Sequence, residues 1–159
     1  MIDRRNLLAG GGAAIAGAVL FGRSSDAVAA RFAVTKTPVE WRRQLGPARY
    51  RILREAGTER AYTSPLDKER RRGRYACAGC ANPLFSSATK FDSGTGWPSF
   101  YRALPRAVVT KTDRAFGMER TEVLCARCGG HLGHVFRDGP RPTCLRYCMN
   151  GLALRFLPA

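Results

Sequence analysis

Six cysteines carry most of the chemistry available to this chain. Four form two C-x-x-C pairs, Cys77/Cys80 and Cys125/Cys128, and the remaining two are Cys144 and Cys148. Two short pairs suit a tetrahedral divalent zinc, because the tight turn inside each pair aims two sulfurs at one ion. Cys148 then stands outside the clamp as a thiol available for reaction. The chain's two histidines, His131 and His134, lie three apart just after the second pair, so an acid or base accompanies the spare nucleophile.

The pairs are separated by 44 residues, well beyond the gap of a simple zinc ribbon. The two knuckles therefore belong to different hairpins, and one ion would pin distant parts of the sheet structure together. Two local disulfides are the alternative for the same four residues. The duplicated turns Cys77-Ala78-Gly79-Cys80 and Cys125-Ala126-Arg127-Cys128-Gly129 favour tetrahedral sulfur geometry.

The elements that must position these groups are short. Thr37-Pro38-Val39-Glu40 has helix-start chemistry: a Thr cap, proline in the first turn and a Glu that reaches back to the cap. A short helix to about Leu45 is expected. Pro47 opens a second, with Tyr50, Leu53 and Ala56 on one side and Gly57 placed to end it, and the pair reads as a clasp on the main body. From Arg74 onward, short apolar or alternating runs between Gly, Pro, Asn and Asp predict a mainly β, antiparallel protein. The clearest strands are residues 107–112, 119–126, 133–136, 145–148 and 152–156, the last with Leu152, Leu154 and Phe156 on one face. Residues 61–73 read as a surface loop.

The 159 residues suffice for one domain, and the first 30 have the three parts of an export signal. Arg4-Arg5 precede a weakly apolar Gly/Ala stretch, and Ala27-Val28-Ala29-Ala30 offers a cleavage site near Ala29 or Ala30. Paired arginines before a mildly hydrophobic segment favour the twin-arginine route, which exports folded proteins to the periplasm. The alternative is an anchor retained after export, although the run falls short of the about 20 residues a span needs. Residues 31–159 then form the mature domain. Cytoplasmic folding and metal loading explain how a thiolate clamp survives an oxidising compartment.

The net charge is +15, about +14 of it in the mature domain. A run such as Lys68-Glu69-Arg70-Arg71-Arg72-Gly73-Arg74 would attract nucleic acid or anionic lipid. Export takes most nucleic acid out of reach, so no specific nucleic-acid role is expected, and the membrane is met only transiently during export.

Three longer stretches carry a resemblance: Lys90-Phe91-Asp92-Ser93-Gly94-Thr95-Gly96-Trp97-Pro98-Ser99-Phe100, His131-Leu132-Gly133-His134-Val135-Phe136 and Leu145-Arg146-Tyr147-Cys148-Met149-Asn150. With the two knuckles, they resemble the methionine-R-sulfoxide reductase family, MsrB, over roughly residues 39–158. The resemblance implies two antiparallel β-sheets of the β-tent kind, short N-terminal helices and a structural zinc on Cys77, Cys80, Cys125 and Cys128. It implies that Cys148 attacks the sulfoxide sulfur while His131 and His134 supply the acid or orient the substrate. By the same resemblance Trp97 packs on the substrate's S-methyl group, Phe100 and Phe136 contact substrate, and Asn150 hydrogen-bonds near the histidines. Arg146 shares a strand face with Cys148, where a cation would lower the thiol's pKa.

Attack would give methionine and a sulfenic acid on Cys148, reversible by a second thiol. Many family members carry a resolving cysteine where this chain has Thr95, and glycine where it has Cys144. Cys144 is therefore a candidate resolving thiol, although four extended residues span about 13 Å and a disulfide needs Cα atoms within about 7 Å. Direct attack by a thioredoxin-like thiol is the alternative. The expected substrate is methionine-R-sulfoxide in oxidised proteins or peptides. A zinc-ribbon-like binding module for an anionic partner, without catalysis, is the reading from a different class.

Overall fold

The computed structural model describes residues 32–159. The expected export signal, residues 1–30, lies outside the described residues.

Thr37 caps α1 (Pro38–Glu55) with a reciprocal box: its hydroxyl accepts the Glu40 N–H, and the Glu40 carboxylate accepts the Thr37 N–H at 2.8 Å. Gly46, at φ 69° and ψ 170°, breaks the run just ahead of Pro47. The two expected helices are thus the two arms of one kinked element. The residue that turns left-handed at its end is Ala56 (φ 51°), not Gly57, which leaves Ala56 exposed while Tyr50 and Leu53 are buried. Trp41, Leu45, Ile52 and Leu53 form the buried side. From the same helix, Gln44 Nε2 donates to the Gly79 carbonyl at 2.6 Å and Arg54 donates to the Cys128 carbonyl at 3.0 Å. The expected clasp therefore holds both cysteine turns.

Nine strands follow: β1 (Gly73–Cys77), β2 (Pro83–Ser86), β3 (Lys90–Phe91), β4 (Ser99–Phe100), β5 (Val108–Asp113), β6 (Arg120–Cys125), β7 (His131–Phe136), β8 (Arg146–Met149) and β9 (Leu154–Pro158). They make two antiparallel sheets, in the orders β2-β1-β9 and β3-β4-β8-β7-β6-β5. The expected mainly β, two-sheet architecture is the observed one. Four strands before residue 107 were not anticipated, because two have only two residues and the others are cut short by the first knuckle and its turn. Residues 151–153, expected within a strand, are a 3-10 turn that precedes β9.

Aromatic side chains join the sheets. Phe85 of the small sheet stacks on Phe100 of the large one at 4.4 Å between centroids, and Tyr75 meets the same ring edge-on at 4.8 Å. Each such pair contributes about 0.5–1.5 kcal/mol beyond the burial of its area. Leu84, Val123, Leu132, Met149 and Leu154 complete the fully buried core.

Candidate active site

Strand alternation sorts the side chains of the large sheet into a core face and a polar face. On β8, Met149 is fully buried and Tyr147 packs toward Phe85, so Arg146, Cys148 and the following Asn150 face the other way. Pairing registers then set Ser99 of β4 opposite Cys148, Cys148 opposite His134 of β7, His134 opposite Glu122 of β6, and Glu122 opposite Lys111 of β5. One transverse row carries a hydroxyl, a thiol, an imidazole, a carboxylate and an ammonium.

His131 joins this row through an irregularity. Between β6 and β7, Val123 pairs with Gly133 but Leu124 pairs with His131, so Leu132 is an extra residue. That bulge shifts the alternation by one and returns His131 to the face of His134, the rings lying 5.5 Å apart. Only glycine fits next to it: Gly133 has φ 153°, and a Cβ there would come within 2.1 Å of the Cys148 carbonyl oxygen. His131 lies beneath, 3% exposed, with Nδ1 at 2.6 Å from Glu122 Oε1, while Lys111 Nζ holds the other Glu122 oxygen at 2.9 Å. Burial would raise the Glu122 pKa, but the bonds from His131 and Lys111 outweigh it and hold the carboxylate below its ordinary value.

Above the row lies a cavity of about 130 Å³ lined by Thr58, Trp97, Arg120, Gly133, His134, Phe136, Cys148 and Asn150. Glu59, which the sequence did not single out, builds one wall. Its backbone N–H donates to Asn150 Oδ1 at 3.0 Å, its carbonyl accepts the Trp97 indole N–H at 3.2 Å, and its carboxylate accepts the N–H groups of Gly151 and Leu152. Trp97 and Asn150 are thereby fixed by the strap that carries Thr58. Asn150 spends its amide on the Glu59 N–H and on the carbonyl of Leu132, which lies between the two histidines on β7.

Asp113 is the second residue the sequence did not reveal. Its Oδ2 lies 2.9 Å from His134 Nε2 and 2.7 Å from an Arg120 nitrogen. The Ala115 N–H, then His134 and Arg120, hold this carboxylate down at about 2, so it only accepts. His134 must therefore carry its proton on Nε2, which leaves Nδ1 as the ring's acceptor. Burial lowers the His134 pKa despite Asp113, so the imidazole is neutral at neutral pH.

Cys148 departs from expectation. Burial raises its pKa above the ordinary thiol value and outweighs the lowering by Thr95, Arg146 and Ser99. Arg146 does share the expected face, but Asp138 takes its guanidinium in a two-pronged pair at 2.9 and 2.7 Å, and it stacks over Phe136 at 4.4 Å. Phe100, expected to contact substrate, instead lies fully buried between the sheets on Phe85. Since Ser99 faces Cys148, its neighbour must face the core. Cys144 is exposed in the turn before β8, its N–H donating to the Pro140 carbonyl at 3.0 Å.

The four knuckle cysteines converge, their sulfurs all within 4.8 Å of one another. Cys77 ends β1 in the small sheet and Cys125 ends β6 in the large one, so the cluster staples the two sheets. Tetrahedral zinc with bonds of about 2.3 Å puts sulfurs about 3.8 Å apart. The Cys77/Cys128 and Cys80/Cys125 distances are 3.8 and 3.5 Å, so the donor set fits a metal ion of that kind. Asn82 donates to Cys125 Sγ at 3.6 Å and to the Ala107 carbonyl at 3.1 Å, fixing one donor from behind.

A thiol facing a neutral imidazole oriented by a carboxylate, over a small aromatic-walled cavity on a cysteine-stapled pair of sheets, defines a thiol-based redox site. A SelR domain model matches residues 45–158. A peptide methionine sulfoxide reductase MsrB of Thiobacillus denitrificans is 60% identical over 124 residues, spanning 77% of this chain and 94% of that protein. One of Leptospira interrogans is 56% identical over 126 residues (79% and 96%), and one of Methanosarcina barkeri 51% over 128 residues (80% and 90%). The chain belongs to the SelR-domain, MsrB family.

Proposed function

We propose that this protein reduces the R epimer of methionine sulfoxide in oxidised proteins to methionine, with Cys148 as the attacking sulfur. The observation that carries this reading is the register that sets Cys148 directly across from the Asp113-oriented His134 beneath the Trp97 cavity. The cavity of about 130 Å³ is roughly four water volumes, enough for one short side chain. Trp97 and Phe136 suit the S-methyl group, a sulfur next to an aromatic wall.

The proton inventory follows from the site. Cys148 arrives protonated and His134 neutral, so His134 Nδ1 takes the thiol proton as sulfur attacks sulfur, and returns it to the sulfoxide oxygen. The protonated oxygen then passes from the substrate sulfur to the Cys148 sulfur: the substrate's sulfur–oxygen bond and the transient sulfur–sulfur bond break, a Cys148 sulfur–oxygen bond forms, and methionine leaves a sulfenic acid behind. A second thiol then condenses with it, releasing water and forming a disulfide, and a thioredoxin-like dithiol restores the cysteine. On separated R and S epimers of a methionine-sulfoxide peptide, with dithiothreitol as reductant, turnover is expected on R. Turnover of S alone would sink the assignment.

Cys144 is proposed as the resolving thiol. It is exposed, where a reductant reaches it, and it holds φ 55°, a left-handed conformation that costs a non-glycine residue about 1–2 kcal/mol. One turnover without reductant is expected to leave a 144/148 disulfide in the mass spectrum; a persisting sulfenic acid with Cys144 still alkylatable removes the role.

The cysteine cluster is proposed to hold zinc on Cys77, Cys80, Cys125 and Cys128, a closed structural site away from the chemistry. Residues 1–30 are proposed to send the folded, metal-loaded domain to the periplasm through Arg4-Arg5. Fused to a folded reporter, they are expected to deliver it to the periplasmic fraction, and Arg4→Lys with Arg5→Lys to keep it inside; delivery unaffected by the lysine pair counts against that route. A zinc-ribbon-like module is not favoured, because the four sulfurs bridge two sheets and Cys148 faces a built cavity.

A further inference from the structure

Three hydroxyls run in single file to the sulfur of Cys148. Ser99 Oγ donates to the Trp97 carbonyl at 3.1 Å, Ser93 Oγ lies 2.8 Å from Ser99 Oγ, Thr95 Oγ1 lies 2.8 Å from Ser93 Oγ, and Cys148 Sγ lies 3.8 Å from Thr95 Oγ1. The loop that carries Ser93 and Thr95 is pinned from outside, since Tyr62 donates its hydroxyl to the Gly94 carbonyl at 2.6 Å and its N–H to the Gly96 carbonyl at 2.7 Å.

Each hydroxyl and the thiol owns one hydrogen, so the contacts can be filled by counting. With Cys148 protonated, the thiol donates to Thr95, Thr95 to Ser93, Ser93 to Ser99, and Ser99 to the Trp97 carbonyl. Four hydrogens fill four contacts, all in one direction. A thiolate only accepts and its charge attracts a donor, so when the proton leaves, Thr95, whose hydroxyl is within hydrogen-bonding reach of the sulfur, turns its hydrogen to it. Three hydrogens now serve four contacts, and one contact must stand without any. Were that contact Ser93–Thr95 or Ser93–Ser99, two oxygens would face each other bare at 2.8 Å. Full reversal, with Ser93 donating to Thr95 and Ser99 to Ser93, moves the empty contact to the longer 3.1 Å approach at the Trp97 carbonyl.

We propose that Ser99, Ser93 and Thr95 form a directional hydroxyl relay that ends on the Cys148 sulfur and reverses when that sulfur loses its proton. Thr95 is then a catalytic residue, donating to the reacting atom in its charged form. The relay deepens the proposed reductase reading, which assigns Cys148 the attack, but its test needs no sulfoxide.

The charged groups facing Cys148 are Arg146 from its own strand, paired with Asp138, His134 from β7, paired with Asp113, and Arg120 from β6. Ser99 from β4 and Thr95, Trp97 and Thr58 from the loops are uncharged. All the charged groups are left intact by substitutions in the relay. In the metal-loaded full chain carrying Cys144→Ser, the rate of Cys148 alkylation by iodoacetamide is followed against pH by mass spectrometry. Thr95→Val is expected to move the midpoint up by about one to two units, a roughly ten- to hundredfold slower reaction at neutral pH. Thr95→Ser should restore the parent midpoint. Ser93→Ala, which leaves Thr95 in place, should shift it upward by a smaller amount, and it carries the same test if the valine variant does not fold. A parent-like midpoint in Thr95→Val overturns the proposal, as does a parent-like midpoint in Ser93→Ala. Sulfoxide turnover that fails while these shifts appear would count against the reductase reading alone.

Discussion

Stripping the metal from the four-cysteine cluster is expected to abolish cooperative folding, and Cys125→Ser to do the same. Cys77 closes a strand of the small sheet and Cys125 a strand of the large one, so an ion held by the four sulfurs would link layers otherwise joined by packing. Structural zinc contributes about 10–16 kcal/mol of apparent binding free energy, against about 5–15 kcal/mol for the whole stability of a domain. Losing it leaves no surplus. The damage also spreads through α1, because Gln44 and Arg54 anchor on carbonyls of the two cysteine turns. Calorimetry with and without a strong chelator, beside one equivalent of zinc per chain by elemental analysis, checks this. A metal-free protein that still melts cooperatively within a few degrees of the loaded one would refute it. The sign with pH follows from the ligands: thiolates must be deprotonated to bind, so metal and stability are lost together as pH falls.

The parts of this molecule that the sequence displayed are those encoded by short-range spacing. Two C-x-x-C turns, a capping box and strand alternation each lie within a few residues, and all of them form. Alternation even placed Arg146 and Cys148 on one face. What it could not supply was the competition from elsewhere. Asp138, eight residues upstream of Arg146, takes the guanidinium, so burial rather than the cation decides the state of Cys148. The pairing of Cys148 with His134 depends on strand register, and the shared face of His131 and His134 depends on one extra residue at Leu132. Gly133 was the visible trace of that bulge. Asp113 and Glu59 left no such trace, since each reaches the site across a long sequence separation, and Glu59 acts mainly through backbone groups. Phe100 was misplaced by reading its motif as one lining, although alternation from Ser99 sends it into the core.

Asp113→Asn is expected to lower turnover about 10²–10⁴-fold while leaving substrate affinity little changed. The carboxylate now accepts from both Arg120 and His134, which forces the imidazole proton onto Nε2. In the variant, the Ala115 N–H claims the amide oxygen at the Oδ1 position, and the amide NH₂ takes the Oδ2 position that faced both Arg120 and His134. Nε2 must then accept, the proton moves to Nδ1, and the ring loses the lone pair that takes the thiol proton. The pH dependence separates this from a mere loss of packing. In the parent, burial already lowers the His134 pKa while the charge of Asp113 raises it. Activity that needs neutral His134 is therefore present above that lowered value and lost as pH falls through it. Removing the carboxylate takes away the raising influence, so the residual activity should lose its acid limb at still lower pH than the parent. Stability changes in the same direction: Asp113, held at about 2, favours the folded state above the ordinary carboxylate range, and the parent loses that contribution as pH falls toward 2 while the variant never has it. Steady-state kinetics on an R-sulfoxide peptide across pH read both effects; turnover within threefold of the parent, or an acid limb displaced upward, would show that Asp113 does not set the tautomer of His134.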